Sequence, residues 1–495
     1  MRLLVTLACL GVSFSIGFVY ARDIYVNGWQ LWSWLACCIV LAAVFLLGSG
    51  RPSLPMSRQL WLWPLLLFGI ALLLRITFLE TIPGGLHVDE VGIADFSLRH
   101  IYAITHETLN PFRTGPASQP SLYHYVLRLS MAVGGASIFG LRLSSALAGA
   151  LAVLVTYGMV AVFHNRRAAL FSAAIMTTYH YHVHWSRIGL NNIWDTLWVP
   201  LMLAPFVWGW RKGWSGGAVL SGIAVGLSQY FYAGSRVGVI LLALLILHLY
   251  RESRRSDKDN PAPPQEPTEL QTTNQPNQPA VSFTANYPIT QLPITNHQLP
   301  LLTYTLKMVL TVACVTAPLV LYALRDPVPF FERSQTVWGW RPETIWMVMG
   351  SSSDVLGYTW RQLWRSVGAF TAVPDVTGFY GPGVPLLIGA ASPLFVIGLL
   401  WAIVKNRFLP VAWIILTVIL GGFLLSDPPG SSHYVVAIPA ICWLVAVPLE
   451  WLASMGRERL AVGVLAAVIA VDLYFYFVIY IHSNPRDLIH VFPTL

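Results

Sequence analysis

Long apolar segments separated by short polar loops make up most of this chain. Because a helix needs about 20 mostly apolar residues to cross the hydrocarbon core of a bilayer, each such segment predicts a membrane span. We count about thirteen, with a margin of about one because the seventh and eighth are short or closely spaced. They lie near residues 3–21, 30–49, 60–79, 140–162, 168–185, 193–210, 216–233, 236–250, 301–322, 383–403, 409–426, 434–453 and 460–481.

The composition indicates the same class of protein. Of the 495 residues, 56% are hydrophobic and 11% are charged, and the mean hydropathy is +0.61. Soluble domains carry roughly 25% charged residues, so this chain has too few charges to coat a soluble enzyme. The same figures exclude a disordered chain, a coiled coil and a collagen. All five cysteines lie in apolar runs and form neither a disulfide framework nor a metal motif.

The charged residues predict the topology. The net charge is +8, from 30 Lys and Arg less 22 Asp and Glu. Basic residues collect on the cytoplasmic side of membrane spans, and here every second short loop is basic. The chain is therefore predicted to start inside, to end outside and to expose loops 80–139 and 323–382 to the exterior, and no nucleic acid is needed to explain its charge. The basic loops contain Arg51, Arg58, Arg166, Arg167, Arg211, Lys212, Arg251, Arg254, Arg255, Lys258, Lys405, Arg407, Arg457 and Arg459.

Four regions follow one another along the chain. Residues 1–59 form two extra N-terminal spans, and we interpret the first as an uncleaved anchor rather than a signal peptide. Residues 60–250 form a main module, and residues 301–495 supply the later spans. Between them, residues 251–300 are rich in Pro, Gln, Asn and Thr and predict a disordered cytoplasmic insert. An inert insertion is favoured over a regulatory or partner-binding segment.

An acidic pair follows the third span. The span runs into Pro83-Gly-Gly, and Asp89 and Glu90 come directly afterwards. Pro83 ends the helix and the glycines allow a tight re-entry, so the acids lie just beyond the membrane boundary, at the start of a short helix near 90–104. They can be a solvated helix N-terminus, a pair of metal ligands or a general base in a cleft at the membrane. From the two acids alone, the first interpretation is favoured.

The flanking motifs change that balance. They are Gln119-Pro-Ser-Leu-Tyr-His-Tyr, then Leu141-Arg-Leu-Ser-Ser, then Trp185-Ser-Arg-Ile-Gly-Leu-Asn-Asn, and finally Gly226-Leu-Ser-Gln-Tyr-Phe-Tyr-Ala-Gly-Ser-Arg. In this order the chain resembles the GT-C-type glycosyltransferases that use polyprenyl-phosphate sugars. It is most similar to the protein O-mannosyltransferase-like branch, which is related to the lipid A aminoarabinose transferases. The resemblance covers residues 60–250 well and the later spans in outline.

The resemblance implies an all-α polytopic membrane protein of GT-C fold, in which residues 60–250 are catalytic. It implies transfer of a sugar from a polyprenyl-phosphate donor to an acceptor hydroxyl on a protein, lipid or glycan, with inversion, at the extracytoplasmic face of the plasma (inner) membrane. Asp89 is the implied general base. Glu90 would orient it, contact the acceptor or help bind a cation. We expect no cofactor and leave a divalent cation open.

Cations stabilise a phosphate that leaves with negative charge. Arginine suits this role because its planar guanidinium group donates two parallel hydrogen bonds to phosphate oxygens. Arg187 and Arg236 end two spans in family-like contexts, and Arg75 lies inside its span. We predict that at least one of the three contacts the donor phosphate, although snorkelling to the interface is the plainer role for an arginine at a span end.

Three further positions, Asp195, Tyr232 and His124, complete the candidate set. Asp195 is either a second active-site carboxylate or a partner for Arg187. Tyr232 and His124 lie within the quoted motifs and are predicted to contact substrate. His180, His182 and His184 alternate along one segment, where residues two apart point away from each other, so we predict no metal site there. His433 stands where relatives often carry arginine, which weakens a phosphate role at that position.

The second exterior loop, 323–382, carries many aromatic residues and is predicted to lie on the membrane as amphipathic helices over the cavity. Two other functional classes remain open: a lipid-linked-glycan polymerase or ligase, and a polytopic transporter or flippase. A transporter would more naturally place acids at mid-membrane, where Asp472 is the one candidate. The donor sugar, the acceptor and the oligomeric state do not follow from the sequence.

Overall fold

In the computed structural model the chain forms a bundle that is almost entirely helical. The structure describes residues 2–21, 23–47, 58–100, 108–115, 120–259, 300–375, 377–426 and 428–483. Most of the predicted insert at 251–300 therefore lies outside the described residues, as does Gln119 of the first flanking motif.

The apolar segments of the first half form eleven helices in the described ranges. Helix α6 begins where the Ser137 side chain accepts a hydrogen bond from the Gly140 N–H, and Asn165 caps α7 in the same way through the Ala168 N–H. The helices are Arg2–Tyr20 (α1), Gly28–Leu47 (α2), Arg58–Ile76 (α3), Val88–His100 (α4), Leu122–Gly134 (α5), Ile138–Phe163 (α6), Arg166–Thr178 (α7), His180–Ser186 (α8), Asp195–Arg211 (α9), Gly216–Ser228 (α10) and Arg236–Asp259 (α11).

The second half continues as helices, with three short ones in the second exterior loop. Two spans end in π-helical segments, Ile419–Phe423 after α17 and Phe475–Tyr480 after α20. The helices are Leu301–Arg325 (α12), Pro327–Val337 (α13), Pro342–Met349 (α14), Val355–Gly368 (α15), Ala391–Val404 (α16), Phe408–Val418 (α17), Ser431–Tyr434 (α18), Ile438–Ser454 (α19) and Glu458–Tyr474 (α20).

Each predicted span overlaps at least one helix, but span 168–185 is divided between α7 and α8 at Tyr179, and the helix in span 383–403 begins only at Ala391. Among the described residues, seven helices are long and apolar enough to cross a membrane by themselves. Helices α16 and α17 meet that criterion only as a pair, bent by 120° at Lys405–Arg407. Trp61–Ile76 and Gly216–Ser228 are apolar but shorter. The helical class and the positions of the segments are confirmed, and the number of crossings stays a prediction.

One small element was missing from the all-α prediction. Tyr25–Val26 and Thr108–Leu109 form a two-stranded antiparallel ribbon, with Tyr25 opposite Leu109. The Asn110 side chain continues this contact by donating to the carbonyls of Tyr20 and Asp23 at 2.8 and 3.0 Å. Two-residue strands carry no periodicity that a sequence could reveal. The ribbon places the turn between α1 and α2 and the first exterior loop at the same end of the bundle.

Helices α6 and α19 form the core of the bundle. In their apolar windows 67% and 83% of the residues are buried, against 28% in α1 and 22% in α2. Helix α6 packs against α3, α7 and α9, and α19 packs against α7 and α16. Helix α1 lies on α12, where Gly17 leaves room for the backbone of Pro318; a Cβ at Gly17 would come within 2.7 Å of the Pro318 Cα. The extra N-terminal helices are therefore peripheral but attached to the rest.

Candidate active site

A buried ion pair anchors the first exterior loop. Glu90, in the first turn of α4, and Arg142, near the start of α6, are both fully buried. The Arg142 Nε donates to Glu90 Oε1 at 2.9 Å, and Nη2 donates to Oε2 at 3.2 Å. The Glu90 carboxylate also accepts the backbone N–H of His87 at 2.9 Å and that of Gly189 at 2.7 Å. One side chain thus joins α4, α6 and the segment after α8.

The same arginine fixes the turn before α4. Arg142 donates to the carbonyls of Leu79, Pro83 and Gly85 at 3.1, 3.0 and 2.6 Å. Glycine is required at position 85, because its φ of +67° lies in the left-handed region. The Pro-Gly-Gly turn is therefore wrapped around a guanidinium group, which sets the direction in which α4 leaves the membrane boundary.

Burial and hydrogen bonding have opposite effects on Glu90. Burial alone would raise the pKa of its carboxyl group, but the Arg142 guanidinium and the N–H groups of His87 and Gly189 lower the pKa overall. The carboxylate is ionised at neutral pH and has its acceptor sites filled by protein donors. This geometry suits the orienting role among the three that the resemblance allowed for Glu90.

Asp89 is the exposed member of the acidic pair. Its backbone N–H donates to the Nδ1 of His87 at 3.1 Å. Among the described residues its carboxylate forms no ion pair, so the acid projects from the N-terminus of α4, where the helix dipole stabilises a negative charge. An exposed carboxylate on a helix whose position is fixed can accept a proton from a substrate hydroxyl within hydrogen-bonding distance.

The second exterior loop reaches this acid through an aromatic contact. The Phe379 ring stacks on the His87 imidazole, with ring centroids 4.4 Å apart. The Phe379 carbonyl accepts a hydrogen bond from the Nε2 of His184 at 3.0 Å. The Asp375 carboxylate in turn accepts the Ser431 N–H at 3.1 Å, which fixes the start of α18. The two loops that are predicted to be exterior therefore meet at His87, which is hydrogen-bonded to the Asp89 backbone.

A second polar cluster lies at the start of α11. Asp195, Tyr232 and His433 lie around the turn that leads into this helix, and Arg236 is its first residue; we call these four residues the Arg236 cluster. The Tyr232 hydroxyl and the Nδ1 of His433 are 3.1 Å apart. The Asp195 carboxylate lies against Gly234, so close that a Cβ there would come within 2.2 Å of Oδ2, and among the described residues it forms no ion pair. Gly234 is therefore needed for this packing.

Arg236 has side-chain donors that are available to a ligand. It is half-buried. Its guanidinium carbon lies 5.7 Å from the centre of the Phe330 ring of α13, a cation–π contact. Its N–H donors form no hydrogen bond with described protein groups. Since guanidinium groups inside proteins are normally paired, this arrangement suits an anionic ligand.

Arg75 and Arg187 are placed differently. Arg187 donates to the carbonyls of Leu74, Thr77 and Phe78 at the C-terminal end of α3. Arg75 is fully buried and donates to the carbonyls at the end of α7 and to the Ser186 hydroxyl, while its Nη2 lies 2.7 Å from the Nδ1 of His182. Both guanidinium groups bind the protein itself, and their contact with a donor phosphate stays a prediction.

The segment from Arg187 to Asp195 connects the two clusters. Gly189 binds Glu90, as described above, and the Asn191 amide donates to the Phe231 carbonyl at 2.8 Å. The Asn192 amide donates to the Ser432 carbonyl at 3.3 Å, next to His433. Asp195 thus faces the Gly234 turn and does not pair with Arg187, so the alternative of an Asp195–Arg187 ion pair is wrong.

The predicted histidines lie in separate surroundings. The Nδ1 of His124 is 2.9 Å from the Ser97 hydroxyl, which joins α5 to α4 rather than facing Asp89. His180 contacts Tyr380 and Asp472, and His182 contacts Arg75. Within the described residues, no group of three His, Cys, Asp or Glu side chains is arranged to hold a metal ion.

Sequence reasoning missed the roles of His87, Phe379 and Asp375. His87 was visible inside the Gly-Gly-Leu-His-Val-Asp-Glu run, two residues before Asp89, and that proximity was a usable signal. Phe379 and Asp375 carried no local signal, because Phe379 contacts His87, far away in the chain, and Asp375 contacts Ser431, 56 residues further on. Together the two clusters offer a carboxylate and a guanidinium group without ion-pair partners among the described residues, along with further polar side chains.

Comparison with known protein families gives one match. Residues 118–259 match the model of a family described as dolichyl-phosphate-mannose-protein mannosyltransferase. The match confirms, over that segment, the resemblance inferred from the motifs, and it includes Arg142, Arg187, Asp195, Tyr232 and Arg236. No curated protein sequence matches the chain.

Similar solved structures are more distant. One is ArnT from Cupriavidus metallidurans bound to undecaprenyl phosphate, with 17% identity and a TM-score of 0.47, covering 82% of this chain and 63% of that one. Another is the oligosaccharyltransferase of Archaeoglobus fulgidus in the apo form, with 15% identity and a TM-score of 0.44, covering 86% of this chain and 56% of that one. This chain therefore spans less than two thirds of the length of either structure.

Proposed function

We propose that this chain is an integral membrane glycosyltransferase that uses a lipid-linked sugar donor. In the finer form of the proposal, the sugar moves from a polyprenyl phosphate to an acceptor hydroxyl at the extracytoplasmic face, with Asp89 as general base. The family match over residues 118–259 supports the class of reaction. One observation supports the role of Asp89 in particular. Its carboxylate is exposed and forms no ion pair among the described residues, and the helix that carries it is held in place by the buried Glu90–Arg142 pair.

The proposed step is a single displacement. The acceptor oxygen forms a bond to the anomeric carbon while the bond from that carbon to the phosphate oxygen breaks, through an oxocarbenium-like transition state. Asp89 takes the acceptor proton, and the polyprenyl phosphate leaves with the bonding electrons. Because one displacement occurs, the configuration at the anomeric carbon inverts.

The leaving phosphate is assigned to the Arg236 cluster. Arg236 supplies a guanidinium group that forms no hydrogen bond with the part of the chain that the structure describes, and Tyr232 and His433, around the turn before α11, supply polar groups. Undecaprenyl phosphate, the ligand of the ArnT structure, gives a suitable probe for this site. Asp195 is proposed to hold the Gly234 turn, and through it the start of α11, in place.

The class of donor is tested with purified protein in nanodiscs and a mannosyl polyprenyl phosphate labelled in the sugar. We expect Asp89→Asn to lower the rate of sugar transfer by about 10²- to 10⁴-fold, the usual range for loss of a general base. Asp95→Asn is the matched control, because Asp95 lies on the same helix and pairs at the surface with Arg99. We expect it to retain the wild-type rate.

The results separate the competing functions. Equal transfer by Asp89→Asn and wild type would contradict the role of Asp89 but keep the enzyme class. A lipid-linked-glycan polymerase or ligase would extend a glycan on its lipid without using the monosaccharide donor. A transporter or flippase would move labelled lipid between leaflets and transfer no sugar to any acceptor.

A further inference from the structure

Asp472 is a buried acid in the last span that the proposed reaction does not use. It lies two residues before the end of α20 and is 2% exposed. Its Oδ2 has no hydrogen-bond partner among the described residues. Burying an ionisable group inside a membrane span costs free energy, so such a group normally faces the bundle interior and marks a functional site. The helix also becomes π-helical at Phe475, three residues later, and π-helical turns are frequent at functional sites.

The neighbour of Asp472 is His180, the first residue of α8. Asp472 Oδ1 accepts the backbone N–H of His180 at 3.4 Å and lies 3.9 Å from the Nε2 of its ring. The other ring nitrogen of His180, Nδ1, is 2.7 Å from the Tyr380 hydroxyl. All three side chains are buried. The acid of the last span is therefore joined, through one histidine, to a tyrosine of the second long loop.

Tyr380 and its neighbour Phe379 are held from one side, and we call these two residues the loop tip. The Tyr380 carbonyl accepts the Tyr480 hydroxyl at 2.8 Å, and the Tyr380 ring stacks on His184 with ring centroids 4.2 Å apart. Gly381 follows at a φ of +54°, in the left-handed region where glycine is favoured. The contacts that fix the loop tip thus come from α8 and from the π-helical end of the last span.

The loop tip extends the connection to the candidate base. Phe379 stacks on His87, and the Nδ1 of His87 accepts the backbone N–H of Asp89. A continuous series of contacts therefore runs from the last span to the first turn of α4. Most of it lies outside residues 118–259, the segment that matches the family model. We call it the positioning chain, and its members are Asp472, His180, Tyr380, Phe379 and His87.

We propose that Asp472 is a positioning residue for the sugar transfer. With His180 it fixes the Tyr380 hydroxyl, and the loop tip then holds His87 and the first turn of α4 in the orientation in which Asp89 meets the acceptor hydroxyl. The proposal rests on the proposed role of Asp89. It also gives the acid of the last span a partner and a task inside the bundle, where a transporter would use such an acid to bind the transported ion.

Two variants break the positioning chain at different points. Tyr380→Phe removes only the hydroxyl that lies 2.7 Å from His180, and Asp472→Leu removes the carboxylate with little change in volume. Tyr474→Phe is the matched control, because Tyr474 lies on the same helix as Asp472 and is 59% exposed. Each full chain is studied in nanodiscs by hydrogen exchange without substrate, and by transfer of labelled sugar from a saturating mannosyl polyprenyl phosphate.

We expect amides in residues 377–384 to exchange about three- to tenfold faster in Tyr380→Phe than in wild type, the range for loss of one hydrogen bond. The kcat should fall by a similar factor. The affinity for undecaprenyl phosphate should not change, because neither variant alters the Arg236 cluster. The double variant should be no worse than the poorer single variant, since both substitutions act through the same contacts. Tyr474→Phe should match wild type throughout.

Three results would overturn the proposal. Wild-type exchange of residues 377–384 in both variants would show that the positioning chain does not hold the loop tip. Faster exchange with an unchanged kcat would show that these contacts serve the fold alone. Losses that add in the double variant would show that Asp472 acts by another route, such as binding an ion.

Hydrogen exchange does not depend on catalysis, so this inference and the proposed function can fail separately. If Asp89→Asn lowers the transfer rate while Tyr380→Phe and Asp472→Leu match Tyr474→Phe in both measurements, the proposed function stands and this inference fails. If Asp89→Asn keeps the wild-type rate, the base is wrongly assigned. Faster exchange of residues 377–384 in the two variants would then still identify Asp472 as the residue that holds the loop tip.

Discussion

The buried pair of Glu90 and Arg142 gives the sharpest test of how the site is held. Replacing Arg142 with methionine keeps most of the side-chain volume but leaves Glu90 buried without its cation. It also frees the carbonyls of Leu79, Pro83 and Gly85, which lose their shared donor. Breaking one side of a fully buried pair costs about 3–5 kcal/mol. We favour the lower end, because the neighbouring Asp89 is exposed and water can reach the loop once it opens.

The loss of stability should be confined to the start of α4 and the turn before it, because the hydrogen bonds of Arg142 join that turn to the rest of the bundle. Hydrogen exchange in nanodiscs measures it peptide by peptide. With a tenfold change for each 1.4 kcal/mol, we expect amides in residues 82–98 to exchange about 10²-fold faster or more in Arg142→Met. Peptides from α12 should keep their wild-type rates. The double variant Glu90→Gln with Arg142→Met should recover part of the protection, because no buried charge then remains unpaired.

Arg99→Met is the matched control from the same loop. Arg99 pairs with Asp95 at 2.5 Å, but its side chain is 73% exposed. Such surface pairs contribute at most about 1 kcal/mol. Equal exchange of residues 82–98 in Arg142→Met and Arg99→Met would refute the reasoning, because it would mean that the buried network does not hold the loop.

Three further predictions concern pH, the phosphate site and the Gly234 turn. Because the folded pKa of Glu90 lies below its ordinary value of 4.5, the pair stabilises the fold above pH 4.5 and this stabilisation is lost as the pH falls through the folded pKa. The thermal midpoint of wild type should therefore exceed that of Glu90→Gln at pH 6, and the difference between the two midpoints should become smaller below pH 4.5. A difference that grows in acid would contradict a lowered pKa of Glu90. Arg236→Gln should weaken the binding of undecaprenyl phosphate about 10- to 100-fold, the loss expected for charge-assisted hydrogen bonds. Arg251→Gln, at the other end of α11, should leave binding unchanged, and equal binding by both variants would remove Arg236 from the site. Gly234→Ala should lower both the thermal midpoint and the affinity for undecaprenyl phosphate, since the new Cβ would lie 2.2 Å from Asp195 Oδ2. The control is Gly158→Ala in α6, where a Cβ meets open space. It should be neutral or stabilise the fold by up to about 1 kcal/mol. A Gly234→Ala variant that matches Gly158→Ala in both measurements would show that the contact with Asp195 is unimportant.

The positions of the helices could be predicted from local composition. Most predicted spans are about 20 residues long and mostly apolar, and a segment of that kind has few alternatives in a bilayer because its backbone must satisfy its own hydrogen bonds. The acidic pair at Asp89 and Glu90 was also visible, because a proline, two glycines and a change to polar residues mark the end of a span. These features depend on neighbours within a few residues, and the structure agrees with them.

The division of labour within the site could not be predicted in this way. Asp89 and Glu90 are adjacent and chemically alike, yet one is exposed and the other is buried against Arg142, 52 residues further on. The three candidate arginines likewise look equivalent as cations of membrane spans, but Arg75 and Arg187 donate to the ends of helices, while Arg236 forms no side-chain hydrogen bond with the described residues. Which charge is neutralised, and by which distant partner, depends on how α3, α4, α6 and α8 pack together. Burial and partnership are properties of that packing, because a side chain's surroundings are built from residues that the chain brings together only when it folds.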